Sequence, residues 1–163
     1  MSRPAAVIVL RTQDADATVR LGSELGRLLR PGDVVALYGG LGAGKTTFVK
    51  GIAQGMGVTE EARSPTFTLI HEHYGEPPLY HIDLYRLAGA QEAEELGVEE
   101  YIYGEGVTVI EWADRMEGLL PADRLDIELR VTAETGRELV LTSAGEHAAK
   151  IVEELVGNAG AGD

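Results

Sequence analysis

The sequence predicts a three-layer α/β fold of the P-loop NTPase type, with a mixed, mostly parallel sheet flanked by helices. Three observations predict it. Gly39-Gly40-Leu41-Gly42-Ala43-Gly44-Lys45-Thr46 fits the phosphate-loop pattern of Gly, four residues, Gly, Lys and Ser or Thr. The buried-strand-type run Asp33 to Tyr38 precedes it, and Phe48, Val49, Ile52, Ala53 and Met56 follow at helical spacing. Elsewhere strand patterns alternate with helical ones, as a layered α/β sheet requires, and a hairpin-like pattern near the C-terminus makes the sheet mixed.

The elements follow in order. Ala6 to Leu10 reads as a strand. Asp14 caps a helix from Ala15 to about Leu29, with Leu21, Leu25, Leu28 and Leu29 on one face, and Pro31-Gly32 ends it. The strand and glycine loop come next, then a helix from Thr47 to Met56 stopped by Gly57. Glu60 to Pro65 reads as a polar loop and Thr66 to Tyr74 as a strand. A turn at Gly75-Glu76-Pro77-Pro78 leads to a strand over Leu79 to Tyr85. Gly89 to Tyr103 is acidic and helical, broken at Gly97. Val107 to Ile110 is a buried strand, with a short helix from about Ala113. Leu125 to Thr132 and Glu138 to Thr142 alternate as a hairpin turning at Thr135-Gly136. Gly145 to Val156 closes the fold as a helix. Residues 1–156 are expected to form one domain, and 157–163 a disordered tail.

Composition narrows the function. At 163 residues, with 44% hydrophobic and 25% charged residues, the chain is a globular domain large enough for a core. No apolar run approaches the ~18 residues of a membrane span, and Ala5 to Leu10 is too short for a signal peptide. With no cysteine there is no disulfide framework or thiolate chemistry, and the expected compartment is the cytoplasm. A net charge of −13 repels nucleic acid over most of the surface. Any role with RNA is therefore expected to run through a protein partner, although plain solubility explains the acidity equally well.

The loop is a geometric device for holding a polyphosphate. Glycines let backbone N–H groups converge on phosphate oxygens, and the following helix points its positive end at them. Lys45 is placed to neutralise β- and γ-phosphates and the Thr46 hydroxyl to hold Mg²⁺. The 21 glycines make an accidental match easier, but one of only three lysines stands at the required place.

A nucleotide hydrolase needs a second magnesium anchor and a group that orients water. The apolar run Val107 to Ile110 ends abruptly at Glu111, which a parallel strand would deliver to the phosphate edge; an ordinary strand-end carboxylate is the alternative. His81, Asp83 and Tyr85 share one strand face. Asp83 is the candidate to orient water, and Arg86 to meet phosphate or a partner, although a half-exposed strand would show the same pattern. Thr66, in Ser64-Pro65-Thr66-Phe67, is a candidate nucleotide-sensing residue, or simply part of a turn into a strand. His71 and His73 share a face without a nearby third ligand, which argues for packing rather than zinc. Trp112, the one tryptophan, is a core or site-wall residue and a fluorescence reporter. The guanine-reading Asn-Lys-x-Asp element is missing, so ATP is the expected nucleotide.

Four segments together resemble the TsaE (formerly YjeE) family: Leu37 to Thr47, Ser64-Pro65-Thr66-Phe67-Thr68-Leu69, His81-Ile82-Asp83-Leu84-Tyr85-Arg86-Leu87 and Ile110-Glu111-Trp112. The similarity spans roughly residues 10 to 145. It implies a bacterial ATPase using ATP and Mg²⁺ in threonylcarbamoyladenosine formation on tRNA. It also implies a complex with TsaD and TsaB, in which hydrolysis cycles the complex rather than forming the new bond. By the resemblance, Leu41, Gly42, Ala43, Gly44, Lys45, Thr46 and Thr47 cradle phosphate. Thr46 and Glu111 hold the metal, Asp83 is the catalytic or water-orienting acid, and Thr66 responds to nucleotide. Trp112 stands beside the metal carboxylate, Arg137 contacts nucleotide, and Thr12 to Asp14 approaches the adenine.

Two other functions fit the same loop. Arg63, Arg86 and Arg115 would form the phosphate clamp of a small-molecule kinase, although no arginine-rich lid is evident. A nucleotide-sensing module without catalysis would show the same cradle.

Overall fold

Strands that are apolar on both faces need a covering layer on each side. In the computed structural model, which describes residues 6–58, 61–63 and 70–161, the central strands have both layers and the outer ones do not. Among the described residues the strands are β1 (Ala6–Thr12), β2 (Val34–Tyr38), β3 (Glu61–Arg63), β4 (Ile70–His73), β5 (Leu79–Asp83), β6 (Val107–Glu111), β7 (Arg124–Val131) and β8 (Arg137–Ala144). They form one eight-stranded sheet of order β1-β8-β7-β2-β6-β5-β4-β3. β7, β2, β6 and β5 pair in parallel, and only β8 and β4 run against the other six.

The helices are α1 (Ala15–Leu28), α2 (Lys45–Met56), α3 (Ala90–Glu95), α4 (Val98–Ile102) and α5 (Glu146–Ala161), with a short 3-10 turn at Ala113–Met116. Alternation along β2 sends Val35 and Leu37 into one core with Leu25, Phe48 and Ile52, beneath α1, α2 and α5. Val34 and Ala36 enter a second core with Ile82, Ile110, Val98 and Met116. The second layer stops at β2. Beyond it, β7 turns Leu125, Ile127 and Leu129 to the first core. Its alternate residues Arg124, Asp126, Glu128 and Arg130 form ion pairs on the other face.

Most boundaries match the pattern of the sequence. Asp14 caps α1 by accepting from the Ala17 N–H at 2.8 Å, and Gly97 breaks α3 from α4 at φ +77°. Three features differ, and one expectation lies partly outside the described residues. Helix α2 begins at Lys45, because the turn of the glycine loop closes directly into it. Glu61–Arg63, expected as loop, pairs as an edge strand with β4. Strand β4 is described only from Ile70, and Ser64 to Leu69, including Thr66, lie outside the described residues. Helix α5 runs on to Ala161, so the tail expected to be disordered from Gly157 is helical as far as that residue.

Helices α1 and α2 cross so closely that glycine alone permits it. A Cβ on Gly22 would lie 2.5 Å from the Phe48 carbonyl oxygen, and one on Gly26 2.3 Å from that of Ile52. On α2, a Cβ on Gly51 would lie 2.2 Å from the Val19 oxygen and one on Gly55 2.0 Å from the Ser23 oxygen. The two backbones touch, so the helix that follows the glycine loop is fixed against α1.

The same substitution is expected to act in opposite directions at two helical glycines. Gly55→Ala must separate α1 from α2 and is predicted to lower the unfolding free energy in urea by about 2–3 kcal/mol. Gly157→Ala in α5 meets open space and should raise it by up to about 1 kcal/mol, the ordinary helix-propensity gain. An unchanged urea midpoint for Gly55→Ala would contradict the close crossing.

Candidate active site

The site lies where three parallel strands end. Strand register sets Leu37 of β2 opposite Glu111 of β6, and Glu111 opposite Asp83 of β5. Two residues beyond Leu37 the chain enters the glycine loop. Gly42 at φ +77° and Gly44 at φ +101° take left-handed conformations that side chains disfavour. The Ala43 N–H donates to the Gly40 carbonyl at 3.2 Å, closing the turn. The first turn of α2 then presents Lys45 and Thr46 at its N-terminal, positive end.

The result is a cleft of about 330 Å³ lined by Leu41 to Thr47 together with Asp83, Glu111, Trp112 and Arg137. Of the residues expected at the site, Leu41 to Thr47, Asp83, Glu111, Trp112 and Arg137 line it; Arg86 and the Thr12 to Asp14 segment do not, and Thr66 lies outside the described residues. Glu111 is buried at its base, with 4% of its side chain exposed. The Thr46 hydroxyl donates to the Glu111 carboxylate oxygens at 3.3 and 3.4 Å. Asp83 is half-buried, and its Oδ1 accepts the Tyr85 N–H at 3.0 Å. That bond turns the chain at the end of β5 and holds the carboxylate at the cleft edge.

Lys45 is also buried. Its ammonium donates to the Gly39 carbonyl and lies 3.6 Å from the centroid of the Trp112 ring, a cation–π contact. Burial holds this lysine below its ordinary pKa, while the charges of Glu111, Asp83 and Asp114 oppose that shift. Trp112 reaches the ammonium from a strained backbone, at φ +59° and ψ +44°, a conformation costing about 1–3 kcal/mol for a non-glycine residue. Tyr85 packs against the same indole at 5.1 Å between ring centroids.

Two contacts were beyond the reach of sequence reasoning. His81 Nε2 lies 2.5 Å from Glu111 Oε2, with 13% of the histidine side chain exposed. The one signal for it was that His81 shares a strand face with Asp83. Arg137, expected at nucleotide, meets the loop itself: its Nε donates to the Ala43 carbonyl at 3.0 Å. Beyond Arg137 and Gly44 lies a smaller cavity of about 120 Å³ between the start of α1 and the β7–β8 turn, lined by Ala15, Thr18 and Thr135 among others. Thr135 donates to the Gln13 carbonyl at 2.8 Å, which sets the Thr12 to Asp14 segment beside a residue of the cavity wall, although the segment does not itself line it.

The donor set fits a hard divalent cation. Hydroxyl and carboxylate oxygens face one another beside a buried ammonium. Mg²⁺ characteristically takes one or two carboxylates and completes its shell from phosphate and water. Among the described residues no three acids, histidines or cysteines converge to hold a metal unaided.

Glu111 depends on its neighbours because it is buried. Replacing His81 with Leu removes the short contact to Glu111 Oε2 and leaves that oxygen only the Thr46 hydroxyl at 3.4 Å, at an expected cost of about 1–3 kcal/mol. His81→Gln keeps an N–H donor and should lose less. Urea unfolding of the two variants checks this, and equal losses would mean that N–H donation to Glu111 is not what His81 contributes.

Comparisons with known proteins give the family. The family model described as "Threonylcarbamoyl adenosine biosynthesis protein TsaE" matches residues 12–139. The tRNA threonylcarbamoyladenosine biosynthesis protein TsaE of Treponema pallidum is 48% identical over 130 residues, covering 80% of this chain and 96% of its own. The protein of the same name from Bacillus subtilis is 43% identical over 146 residues, covering 89% and 91%. The crystal structure of YdiB from Bacillus subtilis superposes with a TM-score of 0.82 at 37% identity, covering 96% of this chain and 99% of that one. A phosphate-loop NTPase fold with this sequence similarity along most of its length places the chain in the TsaE family of threonylcarbamoyl adenosine biosynthesis proteins.

Proposed function

We propose that this chain is a Mg²⁺-dependent ATPase that works with TsaD and TsaB in threonylcarbamoyladenosine modification of tRNA, hydrolysing ATP to cycle that complex. The observation that carries the reading is the convergence of Lys45, Thr46 and Glu111 beneath the glycine loop. The loop amides and Thr47 receive phosphate oxygens, and Lys45 leaves the Gly39 carbonyl to meet them. An anion beside a buried ammonium offsets the hydration that burial removes. With Glu111 and Asp83 also facing the cleft, polyphosphate is repelled unless a cation lies between, which favours Mg²⁺ held by Thr46 and Glu111. When bound there, Mg²⁺ would draw charge from the phosphate oxygens. Asp83, at the cleft edge, is the group placed to orient water. Thr66 keeps the nucleotide-sensing part in this proposal.

The partner-mediated reading also accords with charge. At −13 the chain meets tRNA best through proteins that grip RNA themselves. No described helix is long and apolar enough to cross a membrane, and the proposed compartment is the cytoplasm. The kinase reading is less well supported. Arg115 stacks 5.6 Å from the Trp112 centroid and pairs with Asp114 at 3.6 Å. Arg86 is exposed.

Phosphate release should be slow with the chain alone and rise on adding TsaD–TsaB; a rate indifferent to the partners, with no complex formed, would overturn the proposal. Lys45→Ala is expected to weaken Mg-ATP binding about 100-fold by calorimetry, the loss of a charge-assisted contact to phosphate. Glu111→Ala and Asp83→Ala should reduce turnover more than binding. Because Lys45 lies on the indole, Mg-ATP should change Trp112 emission in the natural protein and leave it unchanged in Lys45→Met.

A further inference from the structure

Resting on the nucleotide-binding reading, we propose that Arg137 is a positioning residue that aims the amides of the phosphate loop, rather than a cation that neutralises phosphate. Its guanidinium is directed at backbone carbonyls. Nε donates to Ala43 O at 3.0 Å and Nη2 to Gly42 O at 3.3 Å, both in the glycine loop. Nη1 donates to Gly136 O at 2.7 Å and lies 3.3 and 3.4 Å from the carbonyls of Ala133 and Glu134, all in the β7–β8 turn. One planar fork therefore fastens two loops that are far apart in sequence.

The consequence follows from peptide geometry. In a trans peptide unit the C=O and N–H point in opposite directions. Holding the Ala43 oxygen turns the Gly44 N–H away from Arg137, as a phosphate-facing amide must point. Holding the Gly42 oxygen does the same for the Ala43 N–H, which closes the turn on Gly40 at 3.2 Å. The loop needs an external brace here because Gly42 and Gly44 leave its backbone many alternative shapes. The brace is itself anchored: Arg137 is paired in the sheet with Thr12 of β1 and Val131 of β7. It also lines both the main cleft and the smaller cavity, so it couples the phosphate compartment to the turn bounding its neighbour.

Lysine distinguishes the two roles. It keeps the charge but cannot reproduce a planar fork that reaches carbonyls on two sides. Arg137→Lys and Arg137→Ala are therefore expected to lose ADP and ATP affinity alike, by about tenfold or more in calorimetry. Amide hydrogen exchange of the nucleotide-free protein should be faster at Ala43 in both variants. Near-natural affinity in Arg137→Lys with loss in Arg137→Ala would assign Arg137 a charge role and overturn the proposal. Unchanged Ala43 exchange in the folded variants would overturn it as well. If Arg137→Ala does not fold, Arg137→Lys decides through both measurements. If the natural protein binds neither nucleotide, the nucleotide reading fails, while exchange at Ala43 still tests the brace.

Discussion

Parallel pairing of β5, β6 and β2 brings Asp83, Glu111 and Leu37 into one row across the sheet, and the rest of the site is built around that row. Parallel strands share one direction, so the residues that follow them leave the sheet at the same edge. The glycine loop leaves from β2, the buried carboxylate ends β6 and the half-buried one ends β5. A slip of one residue in either pairing would turn Glu111 or Asp83 to the opposite face.

A second constraint holds the loop in place from outside. The contact of α1 with α2 through Gly22, Gly26, Gly51 and Gly55 removes freedom from the helix that carries Lys45 and Thr46. Arg137 acts on the other side of the same loop. Between these braces the loop combines glycine-rich backbone with a defined shape. A phosphate cradle requires both, because its amides must converge without Cβ atoms in the way.

The site is also electrostatically incomplete by itself. A buried lysine rests on a carbonyl and an indole, while carboxylates stand close by. Trp112 holds a left-handed backbone to reach that lysine. Strain and an under-compensated charge at one place are the usual signature of a site organised for a ligand rather than for stability alone.

What the sequence determined by itself was whatever is encoded locally. The phosphate loop, the apolar run ending at Glu111, the cap at Asp14, the break at Gly97 and the C-terminal hairpin are each written in neighbouring residues, and each is present. With the family resemblance, this sufficed to name nearly every residue of the cleft. The tertiary structure decided the remainder. Sharing a strand face with Asp83 sets His81 toward the site, but nothing nearby names Glu111 as its partner, because that contact crosses between strands. The glycines of α1 and α2 read as weak helix positions until the two helices are seen to touch. The resemblance gave Arg137 as a nucleotide contact; that its donors also reach loop carbonyls some 94 residues earlier in the chain is visible only in the fold. Short-range patterns report backbone preference and burial; which side chain meets which distant atom is set by strand register and helix crossing, and those exist only once the chain has closed.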